Sequence, residues 1–285
     1  MQWIETVSDQ ALQTDQKYCA ELVKQDAHDL HLANLLLPDQ HRLAISVLHA
    51  FHVEISNIAM GWGEPLPRQM KLQWWREVLS GQRKEEALGN PLARALMALI
   101  SNHDLPIRAL TAKLDAHLFD LYNDPMGDKT MLEGHLGETR SILFQLAGTI
   151  SGIQSDSTFS NASGHAGVAV GIVTLLQDLH RSHSRQQIYI PSNLMEASGL
   201  SYADYLATPD DAHLSVVRGM IDLAAQHRRQ AMSHISMMEG EARSLFSSLA
   251  LVPSYLAAIG KHNNAIFQQP VSLSQLKKQW VLWRF

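Results

Sequence analysis

The 285-residue chain contains little cysteine and no strongly basic region. A single cysteine, Cys19, excludes an internal disulfide and a zinc cage built from several thiolates, which fits a reducing compartment. The formal net charge is −5 and the isoelectric point is near 6.3. Basic runs are no longer than pairs such as Lys277-Lys278. Nucleic acid is therefore not an expected partner.

Long apolar runs and targeting signals are also scarce. The first ten residues, MQWIETVSDQ, have neither a basic start nor an apolar core, as a secretory signal would. No uninterrupted apolar run approaches the roughly 20 residues that span a bilayer. We expect a soluble or peripheral protein, cytoplasmic by default.

Alternating strand patterns are almost absent, and Ile188-Tyr189-Ile190 is the one β-like segment. Apolar residues instead recur at i, i+3, i+4 and i+7, which predicts an all-α fold. The polar stretch 152–163 predicts a loop. No linker or fixed-period repeat divides the chain, so a single domain over residues 1–285 is expected. The predicted helices cover residues 8–25, 39–60, 67–80, 91–101, 105–121, 129–150, 162–180, 192–197, 201–206, 211–238, 241–258 and 271–282.

Two of these helices carry small or polar residues on their apolar stripe. On the first, His52, Ser56 and Met60 lie four residues apart and share a face. On the second, the comparable face holds Gly167, Gly171, Thr174, Asp178 and Arg181 or Ser182. Such faces line a ligand cavity in some proteins, and in others the small residues permit close helix packing. Both interpretations stay open from the sequence.

The order of several blocks resembles that of the squalene and phytoene synthase family, from about Tyr18 to Leu206. The blocks are LLLP, HRLAISVLHAFHVEI, MKLQWWREVLSG, LDAHLFDLYNDP, HLGETRSILFQLAG, GVAVGIVTLLQDL and IYIP. The resemblance implies an all-α, isoprenoid-synthase-type helical bundle around a central cavity. Active members of that family join two prenyl diphosphates head to head with Mg²⁺.

That chemistry uses paired aspartates, because Mg²⁺ is a hard cation held through carboxylates and diphosphate oxygens. Aligned on Ala50-Phe51, the first D-x-x-x-D pair of active members falls on Ser56 and Met60, with Asn57 beside it. Glu54 lies about 200° around the helix from Ser56, so it does not simply replace the missing carboxylate.

The second pair of active members falls on Asp178 and Ser182, so only Asp178 keeps a carboxylate. Arg181 stands at a commonly acidic position, three residues from Asp178 and placed to pair with it. The Gly-Arg that precedes the family's tyrosine is Gln186-Gln187 here, whereas Tyr189 matches.

These losses resemble the branch of the family that includes the mitochondrial assembly factor of respiratory complex I and its bacterial relatives. The resemblance implies a non-catalytic role in assembly or scaffolding, with a protein partner in respiratory complex assembly and an isoprenoid or other lipid in the cavity. It also implies no catalytic or metal-binding residue and no cofactor. The residues expected to line the cavity are Phe51, His52, Ser56, Asn57, Met60, Gly171, Thr174, Asp178, Arg181 and Tyr189.

The alternative is an active prenyltransferase that uses farnesyl or geranylgeranyl diphosphate. It would need Mg²⁺ at Asp178, with Glu54 and Tyr189 completing the site and Glu138 as a further carboxylate. The sequence does not name the ligand, the partner or the oligomeric state.

Three further features have a structural and a functional interpretation. His180 and His183 have a spacing that suits zinc, but surface histidines are the more common case. Trp74-Trp75 predicts one core tryptophan and one partly covered tryptophan. The tail LKKQWVLWRF predicts either a docked helix or a segment at a membrane interface, peripheral to the inner membrane.

Overall fold

The computed structural model describes residues 8–285, and within this range the chain forms helices and connecting segments without any β-strand. The all-α prediction is confirmed. The expectation about a leader at residues 1–7 lies outside the described residues. The extended segment Ile188-Tyr189-Ile190 is held by one backbone bond, in which Met126 N donates to Ile188 O at 3.2 Å, and no ladder follows.

Numbered in chain order, the α-helices of the described residues are α1 Asp9–Asp26, α2 His28–Asn34, α3 Asp39–Ala59, α4 Pro65–Leu79, α5 Lys84–Gly89, α6 Pro91–Asn102, α7 Ile107–Ala116, α8 Lys129–Leu136, α9 Ile142–Ile150, α10 Ser157–Gln177, α11 Leu179–Ser184, α12 Ser192–Ala197, α13 Tyr202–Tyr205, α14 Asp211–Ile235, α15 Gly240–Ser244, α16 Val252–Ile259 and α17 Gln275–Trp283. A π-helical segment, Gly137–Ser141, joins α8 to α9.

Helix starts follow from residues that satisfy the free N–H groups of the first turn. The Asn90 side chain accepts from Ala93 N at 3.0 Å before α6, which has Pro91 in its first turn. Asp210 caps α14, accepting from Ala212 N at 3.0 Å. Pro38 precedes the first residue of α3, as the sequence predicts.

Several predicted boundaries are wrong for local reasons. The loop predicted at 152–163 already becomes helical at Ser157, because Asp156 accepts from Phe159 N at 2.7 Å and caps α10. The helix predicted over 162–180 breaks at Asp178, where φ is −99° and ψ is 16°. The helix predicted over 105–121 ends at Ala116, and a short 3-10 turn, Phe119–Leu121, follows.

Two compact units make up the chain, and the prediction of a single domain stays a prediction. The first unit contains the described residues up to Tyr122, with Leu143–Ser155 and Gly240–Ser247. In it α1 packs against α3 and α6, and α3 packs against α4. The buried Asp15 of α1 binds Arg94 of α6 with two bonds, at 2.7 and 2.8 Å. This paired geometry ties α1 to α6.

Cys19 lies fully buried in α1. Burial raises the pKa of its thiol to about 12, and the nearby Asp15 adds to the effect. Because the thiolate is the reactive form, this cysteine is a core residue that does not react at neutral pH.

The second unit contains Asn123–Ile142, Asp156–Glu239 and Ser248–Phe285. Its central pair is α10 with α14, and the π segment, α8 and α16 also pack on α10. His183, Tyr205, His213 and Phe267 form a ring cluster with centroids 5.4 to 6.4 Å apart. This cluster anchors α11 and α13 to the start of α14.

One described helix, α10, is long and apolar enough to cross a membrane by length and composition. The expectation that no apolar segment approaches the length of a membrane span is therefore wrong for α10, which has 21 residues. Within the protein 67% of the apolar window of α10 is buried, and its partners are other helices of the second unit. Core helices of this kind meet the same criterion.

Candidate functional site

The residues predicted to form the site are divided between the two units. Phe51, His52, Glu54, Ser56, Asn57 and Met60 lie on α3 and its C-terminal cap, in the first unit. Gly171, Thr174, Asp178, Arg181 and Tyr189 lie in the second unit.

His52 and Ser56 are brought together on α3, as their spacing predicts. Ser56 Oγ lies 3.3 Å from His52 Nδ1. The same ring nitrogen lies 3.0 Å from Nζ of Lys113, a residue of α7 that is fully buried. An ammonium group only donates, so His52 Nδ1 accepts from Lys113. The face of α3 that holds His52 and Ser56 therefore meets the buried Lys113 side chain.

Lys113 belongs to a buried polar cluster that the sequence analysis missed, formed by Lys113, His117, Asp120 and His52. Lys113 Nζ lies 3.2 Å from His117 Nε2, and His117 Nδ1 lies 2.6 Å from Asp120 Oδ2. His117 thus accepts from the ammonium group with one nitrogen and donates to the carboxylate with the other. The signal in the sequence was the i, i+4, i+7 spacing of Lys113, His117 and Asp120, which suits one helix face.

Glu54 and Phe51 both contact Trp75 of α4. The rings of Phe51 and Trp75 meet edge to face with centroids 5.2 Å apart, and both side chains are buried. Burial raises the pKa of the Glu54 carboxyl, and the hydrogen bond from Trp75 opposes that rise. Glu54 is thereby occupied in holding α3 to α4. Trp74 is the partly covered member of its pair, as predicted, and donates to Glu86 Oε2 at 2.8 Å.

Asn57 and Met60 lie near the end of α3. Asn57 is exposed, and its Nδ2 donates to Asp26 Oδ2 of α1 at 3.3 Å. Met60 is the C-cap of the helix, with its backbone N donating to Ser56 O at 2.8 Å. Neither residue offers a carboxylate to a metal ion.

Two glycines of α10, Gly167 and Gly171, lie where neighbouring residues approach the helix closely. A Cβ at Gly167 would lie 2.3 Å from Ser141 Cα, and one at Gly171 would lie 2.6 Å from Leu136 Cδ2. The small residues let α10 approach the π segment and the end of α8. Thr174 is partly buried, and its Oγ1 donates to Val170 O at 3.0 Å. The cavity-lining role of Gly171 and Thr174 stays a prediction.

The expected pairing of Asp178 with Arg181 is not formed: among the described ion pairs none joins these two side chains, and Arg181 is exposed. The reason is the helix break at Asp178. Its backbone carbonyl accepts from Arg181 N at 2.9 Å and from Ser182 N at 3.1 Å, which closes the turn into α11. The spacing of a continuous helix therefore no longer places the two side chains on one face.

Tyr189 is buried, and its ring lies 6.1 Å from that of His135. Three residues earlier, Gln186 has φ of +58°, a left-handed conformation that favours glycine. Gln186 stands where the resemblance predicts the family's glycine. Gln187, at the expected arginine position, is buried, and its Nε2 donates to Asp124 O at 3.2 Å.

Of the two histidines after Asp178, His183 contacts the core of the second unit. His183 Nε2 donates to Tyr205 O at 3.0 Å and its ring packs in the cluster around Tyr205. Within the part of the chain that the structure describes, no group of three or more His, Cys, Asp or Glu side chains could hold a metal ion.

A second polar group that the sequence analysis missed joins α10 to α14. His227 Nε2 lies 3.1 Å from Glu133 Oε1, and His227 Nδ1 lies 3.0 Å from His165 Nδ1. Glu133 accepts from His227 Nε2–H, and one of the two facing Nδ1 atoms donates to the other. Burial lowers the pKa of His165, and His227 and His234 lower it further.

Comparisons with known proteins agree with this architecture. The chain is 28% identical to the complex I assembly factor 6 of Rattus norvegicus over 94% of its own length and 81% of the relative's. It is 27% identical to the human protein of that name, with the same coverage. It is 23% identical to a chloroplastic phytoene synthase of Zea mays, over 93% of this chain and 63% of that protein.

Two solved structures share the fold. A squalene synthase from Alicyclobacillus acidocaldarius superposes with a TM-score of 0.74 at 20% identity, over 92% of this chain and 98% of that one. A dehydrosqualene synthase solved with a ligand superposes with a TM-score of 0.81 at 15% identity, over 96% of each chain. The family model described as squalene/phytoene synthase matches residues 23–277. The chain therefore belongs to the squalene/phytoene synthase family.

Proposed function

We propose that this chain acts in the assembly of respiratory complex I, as a member of its family that does not transfer prenyl groups. The observation that carries the proposal is the likeness to proteins named complex I assembly factor 6, which extends over 94% of the chain. An assembly role implies a protein partner within the growing complex. It also implies a place at the inner membrane, as a peripheral protein, where that complex is built.

The residues at the predicted metal-binding positions support the loss of prenyl transfer, because they do not form a set of ligands that suits Mg²⁺. Ser56 is bound to His52, beside the buried Lys113, and Met60 is an apolar helix cap. Glu54 is engaged by a hydrogen bond from Trp75. One carboxylate, Asp178, remains of the four expected, whereas Mg²⁺ is held through carboxylates together with substrate oxygens.

A lipid ligand is the second part of the proposal. A family member of the same fold was solved with a ligand, and loss of the aspartates removes the metal ligands without removing the apolar side chains of the fold. We propose that an isoprenoid or a similar lipid binds without being turned over. Native mass spectrometry of the purified protein should then detect a bound lipid that organic extraction removes.

Deletion of the gene in its native host tests the assembly role. We expect loss of complex I activity and of the assembled complex, with succinate dehydrogenase unchanged as the matched control. Both the wild-type chain and the Asp178→Ala variant should restore the complex, because the carboxylate is not catalytic. Unchanged complex I in the deletion strain would contradict the proposal.

The alternative, an active prenyltransferase, is tested on the purified protein with labelled farnesyl or geranylgeranyl diphosphate and Mg²⁺. We expect no coupled product. Turnover that disappears in the Asp178→Ala variant would establish the enzyme and exclude the non-catalytic role.

A further inference from the structure

The last helix, α17, has two faces of opposite character. On one face, Lys278 and Leu282 are buried. On the other side, three large apolar side chains are exposed: Leu276 is 80%, Trp280 56% and Trp283 81% accessible. At 100° per residue these three fall within about 60° of one another. An exposed apolar stripe of this size on a docked helix indicates a binding surface.

Basic residues flank the stripe. Lys277 and Arg284 lie about 80 to 100° from Leu276 around the helix, on one side of the stripe. The Arg284 guanidinium lies 4.5 Å from the centre of the Trp280 ring. From Ala242 to Phe285 the sequence has five Lys or Arg residues and no Asp or Glu, although the whole chain has a net charge of −5. Of these five, Lys277 and Arg284 lie beside the exposed tryptophans of α17, and no acidic side chain lies on that helix.

We propose that α17 docks on an anionic lipid membrane, with Leu276, Trp280 and Trp283 inserted at the interface. Tryptophan prefers the headgroup level of a bilayer, and Lys or Arg beside it attracts anionic headgroups. The helix has nine residues, less than half the number needed to span a bilayer, so it lies in the plane of the interface. The lack of acidic residues argues for a lipid surface over a basic or neutral protein partner.

Flotation of the purified full-length protein with vesicles tests this surface. We expect binding to vesicles of phosphatidylcholine mixed with phosphatidylglycerol, weak binding to phosphatidylcholine alone, and loss of binding at high salt. A blue shift of tryptophan fluorescence should accompany binding, because the indole rings leave water.

Variants of exposed residues assign the effect to α17. The double variant Trp280→Ala and Trp283→Ala should weaken vesicle binding at least about tenfold, from the apolar area that no longer leaves water. Lys277→Glu should weaken binding to anionic vesicles about fivefold or more. Trp62→Ala removes a tryptophan that is 65% exposed in the first unit and should bind as the wild type does. Lys17→Glu, at an exposed position of α1, is the charge control.

Three outcomes would overturn the proposal. Equal binding to neutral vesicles would exclude recognition of anionic lipid. Equal loss in the Trp62→Ala variant would exclude α17 as the site. Absence of vesicle binding, with a concentration-dependent dimer that Trp280→Ala and Trp283→Ala abolish, would make the stripe a self-association surface. Because the assay uses purified protein and lipid, its result is separate from that of the gene deletion.

Discussion

The buried charge of Lys113 is balanced inside the first unit by Asp120, through the ring of His117. A buried ammonium group is costly unless it is paired and hydrogen-bonded, and here both conditions are met. The same lysine also donates a hydrogen bond to His52, a residue that was predicted from the sequence to line a cavity. The buried His52 of α3 is therefore satisfied by Lys113, a residue of another helix.

Replacement of Asp120 tests this balance. We expect Asp120→Asn to lower the free energy of unfolding by about 3–5 kcal/mol, because it removes the carboxylate that faces the Lys113 charge through His117. Urea denaturation measures the change. Asp115→Asn is the matched control: Asp115, near the end of α7, pairs with Arg76 at the surface, and its loss should cost less than about 1 kcal/mol.

Adding Lys113→Met to Asp120→Asn removes the buried cation as well. The double variant should be less destabilised than the sum of the two single changes, by more than about 1 kcal/mol. Simple additivity, or equal effects of Asp120→Asn and Asp115→Asn, would show that the two charges are not coupled.

His49 gives the protein a pH-dependent contribution to stability. Burial lowers its pKa from 6.5 to about 4, and its Nδ1 lies 2.9 Å from Asn34 Oδ1. Between these values the unfolded chain binds a proton that the folded protein does not bind, so stability falls as the pH falls through this window. The total loss is about 3 kcal/mol. Urea denaturation from pH 7 to 4 should show a flatter profile for His49→Gln, and an unchanged slope would count against this assignment.

At the scale of single helices, the packing of α10 depends on the small size of Gly167 and Gly171. Gly167 lies where α10 meets the π segment, and the backbone of Ser141 occupies the space that a side chain would need. π segments insert an extra residue into a helical turn and change the direction of the side chains that follow. The short distance between α10 and the π segment is therefore possible only because Gly167 has no Cβ.

Alanine substitutions in α10 separate packing from helix propensity. We expect Gly167→Ala to destabilise the protein by about 1–3 kcal/mol or more, because backbone atoms of Ser141 cannot move aside as a flexible side chain would. Gly164→Ala, three residues earlier, meets no atom within 4 Å and should stabilise the helix by up to about 1 kcal/mol. Thermal denaturation compares the two, and equal effects would contradict the close approach at Gly167.

The whole molecule keeps the fold of the squalene/phytoene synthase family over residues 23–277. Its two units each carry part of the predicted site. In the first, the polar residues bind one another and core side chains. In the second, Asp178 sits at a helix break, and Arg181 points to solvent. These arrangements are the ones that the proposed non-catalytic role requires.

Ligand-dependent stability tests this interpretation on the whole protein. Mg²⁺ with a non-hydrolysable farnesyl diphosphate analogue should leave the melting temperature unchanged. A synthase that binds the pair gains about 2.7 kcal/mol at a hundred times the Kd, and such a family member serves as the positive control. A Mg²⁺-dependent rise in Tm that Asp178→Ala removes would place a functional metal site at Asp178.

Much of the fold was predictable, because a 3.6-residue apolar period is satisfied only by helices. The start of α3 and the span of α12 at Ser192–Ala197 follow from local signals alone. The break at Asp178 and the start of α10 were missed, because a single cap or turn changes the outcome without changing the apolar pattern. The candidate site was less predictable than the fold, since spacing identifies a helix face but not its partner.

The sequence by itself determined the all-helical fold and the resemblance to the family, because periodicity and block order are local properties of the chain. It also predicted, by resemblance, which residue types stand where active relatives carry aspartates. Only the tertiary structure decided that His52 meets Lys113, that Glu54 is held by Trp75, and that Arg181 lies apart from Asp178. It likewise decided that Leu276, Trp280 and Trp283 stay exposed. The physical reason is that each of these outcomes depends on groups brought together, or left uncovered, by the packing of helices distant in sequence.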